Sequence, residues 1–137
     1  MQLMRELWAY LDALYGNSAP TVHELTGMED PRSAFVIARE ADAAVGCAAL
    51  RPMSADIAEV KRMYVRAEAR RKGVARQLMS TLEQIARDTG FREIWLETGL
   101  PQVAAIELYE QLGYTTIVPY GEYKDEPDSV CYAKRLR

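Results

Sequence analysis

The stretch Arg70-Arg71-Lys72-Gly73-Val74-Ala75-Arg76 gathers four cations and a glycine where an apolar helical pattern begins. The first turn of a helix has backbone N–H groups without partners, and the helix dipole adds partial positive charge there. Glycine lets that backbone come close to a phosphate. Arginine and lysine add full charges at the same spot, so the stretch suits a diphosphate better than a single phosphate. It is neither a G-x-x-x-x-G-K-S/T loop nor a G-x-G-x-x-G dinucleotide fingerprint. Read alone, it is either an anion site or a solvated basic helix start.

A second group lies near the C-terminus, where Tyr120 and Tyr123 stand with Glu122, Asp125, Glu126 and Asp128 ahead of the last strand pattern. Tyrosine faces and carboxylates suit a cationic amine, although a solvated acidic turn has the same composition. Cys47 and Cys131 are far apart and inside apolar runs, which reads as small buried hydrophobes in a reducing compartment. His23 has no cysteine or other histidine near it, so no metal site of the usual zinc composition is expected.

Apolar spacing predicts a first helix over residues 1–16, closed by Gly16. A loop-rich segment follows, with a short turn after Thr21. Residues 34–40 and 44–53 read as a strand hairpin joined by Ala-Asp-Ala, and residues 57–65 as a third strand. Val74, Leu78, Leu82, Ile85 and Ala86 then repeat at helical spacing up to Gly90. Residues 93–98 form another strand, Pro101 to Gly113 a helix, and residues 114–118 and 129–136 two final strands. The order α-β-β-β-α-β-α-β-β is a mixed α/β (α+β) architecture in one domain over residues 1–137.

Composition narrows the function. Apolar residues make up 49% of the chain and charged residues 27%, with a net charge of −3 and a pI near 5.3. That balance argues against a nucleic-acid partner, which a basic stripe would normally announce. No run approaches the roughly 20 apolar residues that span a bilayer, and no leader pattern opens the chain, so a cytoplasmic protein without a membrane partner is expected.

The segment from Ala58 to Ala86 resembles the core motif of the GNAT superfamily of N-acetyltransferases. That family's signature, Q/R-x-x-G-x-G/A at a strand-to-helix turn, stands here as Arg70-Arg71-Lys72-Gly73-Val74-Ala75. A second family motif, L-Y-x-x-x-G-F/Y, stands as Leu108-Tyr109-Glu110-Gln111-Leu112-Gly113-Tyr114. Both fall in family order and spacing, and the resemblance covers roughly residues 35–137. It implies a mostly antiparallel central sheet of about six strands flanked by helices.

The resemblance also implies acetyl-CoA as cofactor. Its pyrophosphate would lie on the loop of Arg70, Arg71, Lys72, Gly73, Val74, Ala75 and Arg76. Its pantetheine arm would run along Met63, Tyr64 and Val65 like an added strand, near Gln102 and Ile106. Gln102 stands where the family more often has asparagine. Tyr109 matches the family tyrosine that protonates the departing thiolate; without the resemblance it is a core aromatic on the stripe Val103, Ile106, Tyr109, Leu112. Glu59 matches a position where some members place a general base, a half-buried carboxylate; otherwise it is a strand-edge charge paired with Lys61 or Arg62. Strict alternation would put Val60, Arg62 and Tyr64 on one face of their strand and Glu59, Lys61, Met63 and Val65 on the other, a parity that a bulge would change. The implied reaction is direct acetyl transfer to a primary amine of a small molecule, amino acid or peptide, with Tyr120 and Tyr123 beside the acceptor; a homodimer is compatible with it. The rival reading is an idle acyl-CoA sensor on the same fold, and a nucleic-acid-binding domain is a distant third.

Overall fold

The structure is a computed structural model, and it describes residues 30–41 and 43–136. The helix expected over residues 1–16, the turn after Thr21 and His23 lie outside the described residues. Within them the chain runs β1 (Ala34–Glu40), β2 (Ala43–Pro52), β3 (Ile57–Val65), α1 (Val74–Thr89), β4 (Glu93–Gly99), α2 (Val103–Gln111), β5 (Thr115–Ile117) and β6 (Ser129–Arg135). All strands join one six-stranded sheet in the order β1-β2-β3-β4-β6-β5. Every neighbouring pair is antiparallel except β3 with β4. The expected boundaries shift little: the hairpin turn is tighter, β5 is shorter, and α2 starts at Val103 rather than Pro101.

Strand β2 carries no alternation because residues Val45 to Leu50 are all buried, as befits a strand covered on both faces. Gly46 lies under α1, where a β-carbon would meet Tyr64 O at 3.0 Å, Val74 Cγ1 at 3.2 Å and Leu78 Cδ1 at 3.3 Å. Helix α1 buries Val74, Leu78, Met79, Leu82 and Ala86 against the sheet, the stripe that the 3.6-residue spacing foretold. It closes at Gly90, whose φ of 100° fits the left-handed helix end. Glu83 on the same helix is buried, and it accepts hydrogen bonds from Tyr114 at 2.9 Å and Lys134 at 3.1 Å. Helix α1 is thereby tied to the β5–β6 end of the sheet.

The parallel β3–β4 pairing joins only Ile57–Val60 to Glu93–Leu96. Beyond Val60 and Leu96 the register pairs between the two strands end, so residues 61–65 and 97–99 are not laddered to each other. The place where a parallel pairing ends is a setting in which an extended ligand can pair as a strand.

Candidate functional site

Strand β3 carries a bulge. Cys47 pairs with Tyr64 and Ala49 with Lys61, so two steps on β2 oppose three on β3. The extra residue is absorbed at Arg62, whose φ of 58° is left-handed. The parity expected from strict alternation is therefore overturned. Val60 and Val65 both join the hydrophobic cluster beneath α1, while Tyr64 turns its ring toward Arg70, whose guanidinium carbon lies 5.9 Å away. Met63 packs half-buried against the cluster edge.

Past Val65 the chain makes a short 3-10 turn at Ala67–Ala69 and enters α1 through two left-handed residues, Arg71 at φ 66° and Gly73 at φ 83°. Gly73 is the N-cap residue and offers no side-chain cap, and the first turn of α1 holds no acidic residue. The amides of Val74, Ala75 and Arg76 therefore point outward with neither a capping side chain nor a neighbouring carboxylate to neutralise the helix end. A β-carbon on Gly73 would have nothing within 4 Å. The space before this helix start is open, and its chemistry fits a diphosphate.

The cations around it are not equivalent. Arg70 Nε donates to Val65 O at 2.8 Å and so braces the loop against the strand. Lys72 pairs with Glu40 at 3.6 Å, both side chains about half exposed, a contact worth little in water. Arg76 donates to Gln111 Oε1 at 2.8 Å and links the start of α1 to the end of α2. Arg71 is exposed at the loop crest.

Tyr109 and Glu59 occupy opposite faces of the sheet. Tyr109 is 4% exposed, 5.9 Å from the Tyr114 ring in an edge contact and 6.2 Å from that of Tyr132. Those two neighbours donate their hydroxyls to Glu83 and Glu110. Tyr109 has no such carboxylate partner among the described residues. Burial, with Glu97 adding to it, pushes the Tyr109 pKa well above the ordinary tyrosine value, so the phenol stays protonated at neutral pH. Gln102 holds the N-cap position of α2 without a side-chain cap bond, and Ile106, half-buried, donates its backbone N–H to Gln102 O at 3.1 Å.

Glu59 is not the half-buried carboxylate expected: it is 1% exposed. Its partners are also not Lys61 or Arg62. Oε1 accepts from Arg51 Nε at 2.8 Å, and Oε2 accepts from the Tyr120 hydroxyl at 2.8 Å. The Tyr120 ring stands 5.1 Å from that of Trp95 and 5.4 Å from that of Tyr123. Tyr123 in turn accepts from Lys61 Nζ at 3.0 Å. The loop ahead of β6 is thus folded onto β3, and Tyr120 and Tyr123 meet Glu59 and Lys61 rather than extending into solvent.

Arg51 and Trp95 escaped the sequence reading. Arg51 lies across the β2–β3 hairpin from Glu59, and Trp95 is its register partner in the parallel pair. The hairpin register was recoverable in principle from the short turn at residues 53–56. The β3–β4 register, which joins strands separated by a whole helix, was not. Among the described residues no group of three or more metal-ligating side chains converges, and no helix is long and apolar enough to cross a membrane.

Comparison with known proteins agrees with this geometry. The sequence model of the Acetyltransferase (GNAT) family matches residues 1–114. The chain is 34% identical over 137 residues to the IAA acetyltransferase of Azospirillum brasilense, covering 99% of this chain and 90% of that protein. It is 34% identical to the uncharacterized N-acetyltransferase YsnE of Bacillus subtilis, over 82% of this chain and 76% of that one. A Klebsiella pneumoniae structure assigned as an acyl-CoA N-acyltransferase superposes with a TM-score of 0.83 at 29% identity, covering 99% and 88% of the two chains. An aminoglycoside 6'-N-acetyltransferase complexed with coenzyme A shares the fold, with a TM-score of 0.72 at 18% identity, over 98% of this chain and 91% of that one. With a β3–β4 pairing that ends at Val60 and Leu96, a basic uncapped helix start and these matches, the chain belongs to the GNAT family of acetyltransferases and uses acetyl-CoA as its cosubstrate.

Proposed function

We propose that this chain transfers acetyl directly to the primary amine of a small molecule. The observation that carries the reading is the combination of a β3–β4 pairing that ends at Val60 and Leu96 with an uncapped, carboxylate-free helix start. Acetyl-CoA, when bound, supplies an acetyl group activated as a thioester. The amides of residues 71–76 hold the diphosphate, and the β3 edge at Met63, Tyr64 and Val65 aligns the arm that follows it. Backbone donors on that edge polarise the acetyl carbonyl. Tyr109, kept protonated by burial, gives its proton to the departing sulfur. Glu59 receives the proton that the acceptor ammonium must lose before it can attack. Tyr120 and Tyr123 border the acceptor. The 34% identity to a protein named for acetylating IAA supports a small-molecule acceptor.

The test is calorimetry of acetyl-CoA against the purified protein with pantetheine as the control, followed by thiol release with a panel of primary amines. Binding that needs the diphosphate, together with amine-dependent release, is expected. Tight binding without turnover on any amine would favour a sensor, and absence of binding would remove the loop assignment.

A further inference from the structure

Glu59 poses a problem for any proton transfer from an acceptor. A carboxylate with 1% of its surface exposed cannot touch an incoming ammonium. A proton can reach it only through a neighbour. Of its two hydrogen-bond partners, Arg51 is a permanent cation with no lone pair to accept a proton. Tyr120 is a hydroxyl, able to accept on oxygen while it donates its own hydrogen, and the residue is 9% exposed where Glu59 is 1%.

We propose that Tyr120 is a catalytic proton relay: its hydroxyl takes the proton of the acceptor ammonium as it passes its own to Glu59, and Arg51 positions Glu59 to receive it. This rests on the amine-transfer reading and adds to it a residue and a route. In the step, the N–H bond of the ammonium breaks and the amine lone pair is freed. The tyrosine ends as it began, a neutral phenol, and Glu59 Oε2 becomes a carboxylic acid that returns its proton by the same path after the product leaves. The surroundings suit this. Burial first, then the adjoining Glu59 charge and hydrogen bond, push the Tyr120 pKa far above the ordinary value, so it stays a phenol throughout. The charged and titratable groups facing the pair are Arg51 from β2, Lys61 from β3, Glu97 from β4, Cys131 from β6, and Glu122 and Tyr123 from the loop. Trp95 and Tyr123 clamp the Tyr120 ring, which keeps its hydroxyl at 2.8 Å from the carboxylate.

The experiment compares the parent, Tyr120→Phe, Glu59→Gln and the double variant with saturating acetyl-CoA and tyramine, L-lysine or spermidine, over a range of pH. Tyr120→Phe keeps the ring contacts and removes only the hydroxyl. Its kcat is expected to fall about 100-fold near neutral pH, the scale of acid–base catalysis. The deficit should shrink as pH approaches the amine's own pKa, near 10, because a neutral amine needs no relay. Acetyl-CoA affinity should be unchanged. Glu59→Gln should lose the same factor, and the double variant should be no slower than either, because both interrupt one path. Should Glu59→Gln fail to fold, the pH profile of Tyr120→Phe decides alone. Losses that multiply, a deficit constant with pH, or a parental rate in Tyr120→Phe would each overturn the relay. If the parent binds acetyl-CoA but acetylates none of the three amines, the amine-transfer reading has failed and the relay goes with it.

Discussion

Replacing Gly73 by alanine tests the site where conformation and binding meet. Gly73 sits at φ 83°, in the left-handed region, and a β-carbon there would have no atom within 4 Å. The cost to the fold is therefore conformational alone, about 1–2 kcal/mol for a residue with a β-carbon in that region. Unfolding entropy near 2.1 cal/mol/K per residue gives about 0.29 kcal/mol/K for 137 residues, so Tm should fall by about 3–7 °C. The same methyl group projects into the open space before the amides of residues 74–76, where it would hold a diphosphate away from them. Acetyl-CoA should bind at least about tenfold more weakly, a loss of about 1.4 kcal/mol. Pantetheine, which has no diphosphate, should bind as it does to the parent. Differential scanning calorimetry and titration calorimetry read the two effects separately. A variant with lowered Tm but parental acetyl-CoA affinity would refute the assignment of this helix start, because the strain would be present without any anion to exclude.

Three further outcomes follow from other parts of the structure. Tyr109→Phe should lower kcat by about 10- to 1000-fold while leaving acetyl-CoA affinity intact, and an unchanged rate would return Tyr109 to a packing role. Gly46→Ala forces a methyl to within 3.0–3.3 Å of Tyr64 O, Val74 and Leu78, so overpacking should cost about 1–3 kcal/mol; a denaturant midpoint equal to the parent's would show that α1 can move away freely. Tyr109, Tyr114 and Tyr120 all have pKa values raised by burial and then by nearby carboxylates. The folded protein keeps protons that the unfolded chain releases above pH about 10, so stability holds below that pH and falls as pH rises past it. Urea midpoints that stay level between pH about 9 and about 11 would contradict this.

Much of this protein is local and was legible in its residues. The apolar stripe Val74, Leu78, Leu82 and Ala86 and the closing Gly90 define α1 by short-range rules, and Gly73 with its neighbouring cations marks the helix start proposed to hold the diphosphate, because helix ends carry their unpaired amides wherever they occur. The Leu108–Tyr114 motif placed Tyr109 by the same kind of short spacing. What the residues could not display was anything that depends on strands meeting across the sheet. The bulge at Arg62 exists because β2 and β3 must pair while Val60 and Val65 both stay beneath α1, a demand invisible in β3 alone. Likewise, Glu59 reads as an ordinary strand-edge carboxylate until the β2–β3 hairpin sets Arg51 beside it and the loop before β6 brings Tyr120 onto it from 61 positions away. Sequence determined which groups could do chemistry, because side-chain type and helical spacing are properties of neighbours along the chain. Tertiary structure alone decided which of them touch, because burial and register depend on residues far apart in sequence.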